Sequence, residues 1–141
     1  MIDIENQIKD DLETQARLML FSAIEPGSIT WSIELKRYGA VELVERIIHG
    51  AYEKINKLSA GIRQVLIDTS AQALWEEIEF AEARFITPSS MYWPTSLNDL
   101  SNPPIGLIIK GANLPAQSIS IVGTRKPTLY GARVASEFAS G

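Results

Sequence analysis

The stretch SISIVGTRKPTLYGARVA, Ser118 to Ala135, decides how the second half of the chain is read. An apolar run, Ile119 to Val122, stops at Gly123, and a hydroxyl, two cations and Pro127 follow. Thr128 to Ser140 then reads as a helix, with Tyr130, Val134 and Phe138 at i, i+4 and i+8 beside Ala135 and Ala139. Strand, glycine turn and helix together make the geometry of an anion site. The first helical turn leaves amides without partners, and the aligned peptide dipoles place partial positive charge in front of it. Thr124 adds a hydroxyl donor, and Arg125 a planar fork able to hold two phosphate oxygens. Gly123 allows close approach, Pro127 fixes the turn and Thr128 is placed to cap the helix. Two readings stay open on this chemistry alone: a phosphate-contacting turn, or a plain connection whose cations face water. The turn is not G-x-G-x-x-G, because position 125 is Arg, and no Gly-Lys-Ser/Thr follows. A dinucleotide or ATP therefore loses its best support.

Upstream of this stretch, the character of the chain changes near Ala83. Short β-branched runs separated by Pro, Asn and Ser extend from there. Ile105 to Ile109 and Ile119 to Val122 are largely apolar, the pattern of strands covered on both faces in a mostly parallel α/β sheet. The helix from Thr128 is expected to lie on that sheet. Tyr92 and Trp93 are aromatic enough to stack on bases, but beside Pro94 they are expected to pack structurally.

The front half reads as six short helices. Thr14–Ala23 is amphipathic, Glu25-Pro26-Gly27-Ser28 breaks it, and a second helix runs from Ser28 to Arg37. Gly39 interrupts before the stripe of Val41, Val44, Ile47 and Ile48, and further patterns follow at AYEKINKL, GIRQVLI and SAQALWEEIEFAEA. The Pro-Gly turn is expected to be an ordinary helix connection, since Glu25 opposes a phosphate contact there. His49 is expected to sit at a helix C-terminus, where it meets the dipole. Trp75, with Ala71 and Ile78 on its face, is expected in the core.

Charge divides the same way. Residues 1–80 carry 14 acidic and 8 basic side chains, and residues 81–141 carry 3 acidic and 5 basic, within a total of −4. Polyanion binding follows local potential, so the back half stays open to phosphate and the front half does not. No cysteine is present and His49 is the sole histidine, which leaves no thiolate or histidine-rich metal site and suits a reducing compartment. The acidic start, MIDIENQIKDDLE, is unlike a secretory signal, and no apolar run is long enough for a bilayer. A cytoplasmic protein without a membrane contact is expected.

The string from Ser118 to Gly131 resembles the "VGSR…S.YG" segment of the DNA-processing protein A (DprA/Smf) family, with Thr124 where serine is usual. Phe85-Ile-Thr-Pro88, Tyr92-Trp93-Pro94, Leu97, Asp99-Leu100, Pro103-Pro104 and Ile108 to Gly111 resemble the family's approach to its Rossmann-like domain, with Trp93 in place of the commoner tyrosine. The front, with Tyr38-Gly39 and its flanking helices, is similar to the family's SAM-like domain. The resemblance implies an α plus α/β chain: a helical SAM-like domain over 1–82, then the incomplete start of a Rossmann-like domain over 83–141. It implies binding of single-stranded DNA without sequence preference during natural transformation, loading of the RecA recombinase, and a homodimer in full-length members. No bond is made or broken, and no cofactor is implied. Gly123, Thr124 and Arg125 match the family's phosphate-contacting turn, and Lys126 and Arg133 are secondary candidates. The family's later glycine-rich phosphate segment would lie past Gly141, so a truncated form is expected. The competing expectations are a fragment of a Rossmann-like nucleotide phosphoribohydrolase and a helical interaction domain that binds no DNA.

Overall fold

The computed structural model describes residues 11–53, 59–112 and 122–140. They form α1 (Leu12–Ala23), α2 (Ile29–Ile48), α3 (Ser59–Asp68), α4 (Ala71–Phe80), β1 (Ala83–Ile86), a 3-10 turn (Thr95–Asp99), β2 (Leu107–Lys110) and α5 (Leu129–Ser140). The fold is mixed α plus β. No helix among the described residues is long and apolar enough to cross a membrane.

Local chemistry sets the ends of the front helices. The Asp11 carboxylate accepts from the Thr14 amide at 3.1 Å and from its hydroxyl at 2.7 Å, capping α1. The chain then turns through Glu25-Pro26-Gly27, with Gly27 at φ 80°. Ser28 sits at the N-cap position of α2 but makes no side-chain cap bond. The expected interruption at Gly39 is a kink within α2, where the backbone takes φ 77° and ψ 171°. This conformation is nearly closed to residues with a Cβ. The broken ladder frees the Ala40 amide, which donates to both carboxylate oxygens of Glu13 on α1, at 3.0 and 3.2 Å. A side chain from one helix thus caps the second arm of another. Gly39→Ala is expected to cost about 1–3 kcal/mol, read as a lower denaturation midpoint; an unchanged midpoint would mean the kink is relaxed at no cost.

α1 lies at the centre and packs against α2, α3 and α4. One of its faces sends Ala16 and Leu20 into a core with Trp31, Leu43, Ile47, Tyr52 and Leu66, where Trp31 and Tyr52 meet edge to face at 5.2 Å. Its other face sends Leu18 and Phe21 toward Trp75, Ile78 and Phe85. Trp75 is a core residue, as its helical face predicts. His49 is the C-cap of α2, with Nδ1 2.7 Å from the Glu45 carbonyl, also as expected.

Three expectations change in detail. The second and third predicted helices are two arms of α2. Within AYEKINKL, Ala51–Glu53 form a turn and residues 54–58 lie outside the described residues. The last helix predicted in the front half ends at Phe80 rather than running to Ala83, because Glu82 takes φ 54° and turns the chain into β1.

The sheet also departs from expectation. β1 and β2 pair antiparallel, with Arg84 opposite Ile109 and Phe85 opposite Ile108, where a mostly parallel sheet was expected. A parallel pair needs a crossover, usually helical. Here residues 87–106 hold only the short 3-10 turn and several prolines, and they return the chain beside β1 in the opposite direction. Cover on both faces holds for β1 but not for β2, whose Ile108 is 48% exposed. Ala83 and Phe85 meet the helices, while Ile86, Leu107 and Ile109 pack with Trp93 and Leu97. Of the predicted strand Ile119–Val122, residues 119–121 lie outside the described residues, and Val122 is exposed and non-helical.

The returning segment is strapped to the helices. Arg17 donates from Nε to Glu13 at 3.0 Å and from Nη1 to the Ile105 carbonyl at 3.1 Å. Ile105 itself packs against the larger core. Pro103 and Pro104 line a narrow groove with Phe21, Ile24 and Trp31.

Candidate nucleic-acid interface

The turn singled out by sequence, Val122 to Thr128, leads directly into α5 and is exposed throughout. Pro127 sits two residues before the helix, where its missing N–H costs no ladder bond. The Thr128 hydroxyl accepts from the Gly131 amide at 3.1 Å, and its carbonyl accepts from Ala132 at 2.9 Å. Thr128 is therefore the cap. It satisfies one of the orphan amides of the first turn and leaves those of Leu129 and Tyr130 without an acceptor among the described residues.

Thr124 folds back on the turn, its hydroxyl accepting from the Lys126 amide at 3.3 Å. That bond holds Arg125 at the apex. Arg125 and Lys126 make no ion pair among the described residues, so both cations face solvent beside the open helix terminus. Arg133 lies one turn into α5. It meets Glu137 at 3.5 Å and stands 6.0 Å from the centre of the Tyr130 ring, with both charges about 70% exposed. An exposed i, i+4 pair of this kind is weak and yields readily to a polyanion. Gly123, Thr124, Arg125 and Lys126 thus form one continuous turn, with Arg133 on the helix behind it. The apolar face predicted to rest on a sheet is largely uncovered among the described residues, with Tyr130 71% and Phe138 78% exposed.

Another cluster of charge and aromatic rings occupies the helical part. Arg46 lies 4.1 Å from the centre of the Tyr38 ring and donates to the Tyr52 hydroxyl at 3.3 Å, which in turn donates to Glu34 at 2.5 Å. Burial, with the bond to Glu34, pushes the Tyr52 phenol above its usual range, and Arg46 opposes the shift. The hydrogen bond to Tyr52 raises Arg46 in turn. The open concavity beside these groups is lined by Glu13, Glu42 and Glu45, which repel phosphate. Its geometry locks α2 to the turn that follows it.

The paired aromatics separate. Trp93 is 6% exposed and donates from Nε1 to Asn98 Oδ1 at 3.0 Å, as the packing expectation requires. Tyr92 is 39% exposed, and the Arg84 guanidinium lies 5.3 Å from its ring centre. Neither Tyr92 nor Arg84 is on the sequence-derived site. The signal was available: in Ala83-Arg-Phe-Ile86 the strand period sends Arg84 away from Phe85, and adjacent aromatics before a proline need not share a side.

The family model for DNA recombination-mediator protein A matches residues 84–141, from β1 through the turn and α5. No curated protein and no solved structure matches the chain. The matched segment carries every residue of the predicted turn together with β2 and all of β1 but Ala83, so that residues 84–141, about two fifths of the chain, are similar to the DNA recombination-mediator protein A family.

Proposed function

We propose that the chain binds single-stranded DNA through the turn Gly123 to Lys126 and the open N-terminus of α5, with Arg125 as the principal cation. The observation that carries this reading is the exposed Arg125, without an ion pair among the described residues, in a turn closed by the bond from the Lys126 amide to the Thr124 hydroxyl and followed by a helix whose Leu129 and Tyr130 amides have no acceptor among the described residues. It falls inside the segment matched to a family of recombination mediators. Backbone amides and a guanidinium contact phosphate without reading bases, so the binding is sequence-independent. Arg133 adds charge once its pair with Glu137 opens. The acidic helical part repels phosphate and positions the strands instead. In the same reading the protein handles incoming strands in natural transformation, assists RecA loading and dimerises in a full-length context. It changes no covalent bond, uses no cofactor and works in the cytoplasm. The SAM-like and Rossmann-like descriptions of its two parts, over 1–82 and 83–141, belong to this proposal.

Binding of a fluorescent oligothymidylate, followed by anisotropy across a salt series, tests it. Affinity is expected to fall steeply as salt rises, by a log–log slope of about 0.7 for each phosphate neutralised. Arg125→Ala is expected to weaken binding and to reduce that slope by about 0.7. Equal affinity and slope in the variant would remove the turn from the interface. Absence of binding by the unmodified protein at low salt would overturn the whole reading.

A further inference from the structure

We propose that the exposed Tyr92 ring, fixed by Arg84, is a base-stacking platform for single-stranded DNA. This rests on the function proposed above and adds to its phosphate contacts a site for the bases themselves.

Rigid support on both sides makes the ring a platform. Trp93, the next residue, is buried among Ile86, Ile109, Leu97 and Leu107. The backbone before it is tied by bonds from Ser90 N to the Thr87 carbonyl at 2.8 Å and from Trp93 N to the Ser90 carbonyl at 3.0 Å. The Tyr92 amide also donates to the Ser90 hydroxyl at 3.3 Å. With Trp93 anchored inward, Tyr92 is turned out. Its hydroxyl makes no hydrogen bond among the described residues, so no polar tether accounts for where the ring stands. A pre-positioned ring loses little entropy on stacking.

Arg84 completes the arrangement from β1. Its register opposite Ile109 sets it on the Trp93 face of the sheet. There Nη2 donates to the Gly111 carbonyl at 3.2 Å, just past the end of β2, while the guanidinium lies over the ring. The sheet holds the cation, and the cation holds the ring. Base stacking on an aromatic, with an arginine beside it, tolerates every base because each has a π-face. That suits a protein whose phosphate contacts carry no sequence information. The nearby Lys110 ammonium is 3.8 Å from Glu82, an exposed pair that adds no net charge.

The test uses the full chain and two probes of equal length, an oligothymidylate and an abasic deoxyribose-phosphate oligomer, by anisotropy at one low salt concentration. Tyr92→Leu keeps the bulk of the side chain and removes the π-face; Tyr92→Phe keeps the ring. Tyr92→Leu is expected to weaken oligothymidylate binding by about 5- to 100-fold. Its binding to the abasic probe and its salt slope are expected to match the unmodified protein, and Tyr92→Phe is expected to bind both probes normally. Equal oligothymidylate affinity in Tyr92→Leu overturns the platform and leaves the Arg125 reading intact. An equal loss on both probes also overturns it, because the ring would then serve the fold rather than the bases. A thermal scan of each variant separates that case: preserved melting with a selective loss on oligothymidylate is the supporting result.

Discussion

A chain lacking residues 1–82 is expected to show no cooperative unfolding transition and to associate in solution. β1 and β2 are only four residues each and form the one sheet among the described residues. A two-stranded sheet is at best marginal in water unless something packs against it. Here that cover comes from the deleted part. Phe85 is 4% exposed because Leu18, Phe21, Trp75 and Ile78 enclose it, and Ala83 packs beside it. Ile105 loses the core of α1 and α2, and its carbonyl loses Arg17. The rest of the segment does not make up for this, since Tyr130 and Phe138 of α5 already stand open. A segment of this size buries too little surface to absorb the loss. Circular dichroism on heating, with size-exclusion chromatography, checks the outcome. A monomer with a sharp transition would show that residues 83–141 contain their own core.

The parts that were legible in the sequence depend on near neighbours along the chain. α1, α3, α4 and α5 follow from 3.6-residue spacing, and Thr128 caps the last helix because the cap and its amide are three residues apart. Gly39 announced a break for the same reason: glycine alone tolerates the conformation found there. What escaped is long-range. Nothing local shows that Glu13 caps Ala40 across 27 positions, or that Arg17 reaches Ile105 across 88. The antiparallel return to β2 was hidden in the same way. Apolar runs report that a strand is covered, as Ile86 and Ile109 are, and are silent on the direction of the partner. At the site, the Gly123–Lys126 turn was readable as a local string. Tyr92 and Trp93 were both expected to pack structurally, and the burial of Trp93 with Tyr92 left outside corrects that expectation for Tyr92.

Phe85→Ala is expected to destabilise the full chain by about 3–5 kcal/mol, the usual cost of emptying a buried aromatic site. That is a large share of the 5–15 kcal/mol typical of a folded domain. The ring meets Phe21 at 5.5 Å and Trp75 at 6.1 Å between centres, both edge to face. On its remaining side lies Gly106, so near that a Cβ there would overlap the ring and press on the Ile86 carbonyl. Two rigid rings and a glycine without a side chain cannot close the space, so the cavity term is kept nearly whole. One effect acts the other way. The buried Trp75 Nε1 has no acceptor among the described residues, so a water would relieve part of the loss, by about 1 kcal/mol, only if the cavity opened onto that atom. Urea denaturation followed by tryptophan fluorescence reads the balance, with Trp75 as the nearest reporter. A loss below about 1 kcal/mol would mean that the helices and the sheet are joined elsewhere. The same substitution reaches the proposed DNA contacts through β1, because Arg84 precedes Phe85 and takes its position over Tyr92 from that strand. Oligothymidylate affinity should therefore fall in Phe85→Ala before unfolding is complete, while binding of the abasic probe, which needs only the turn at Arg125, persists.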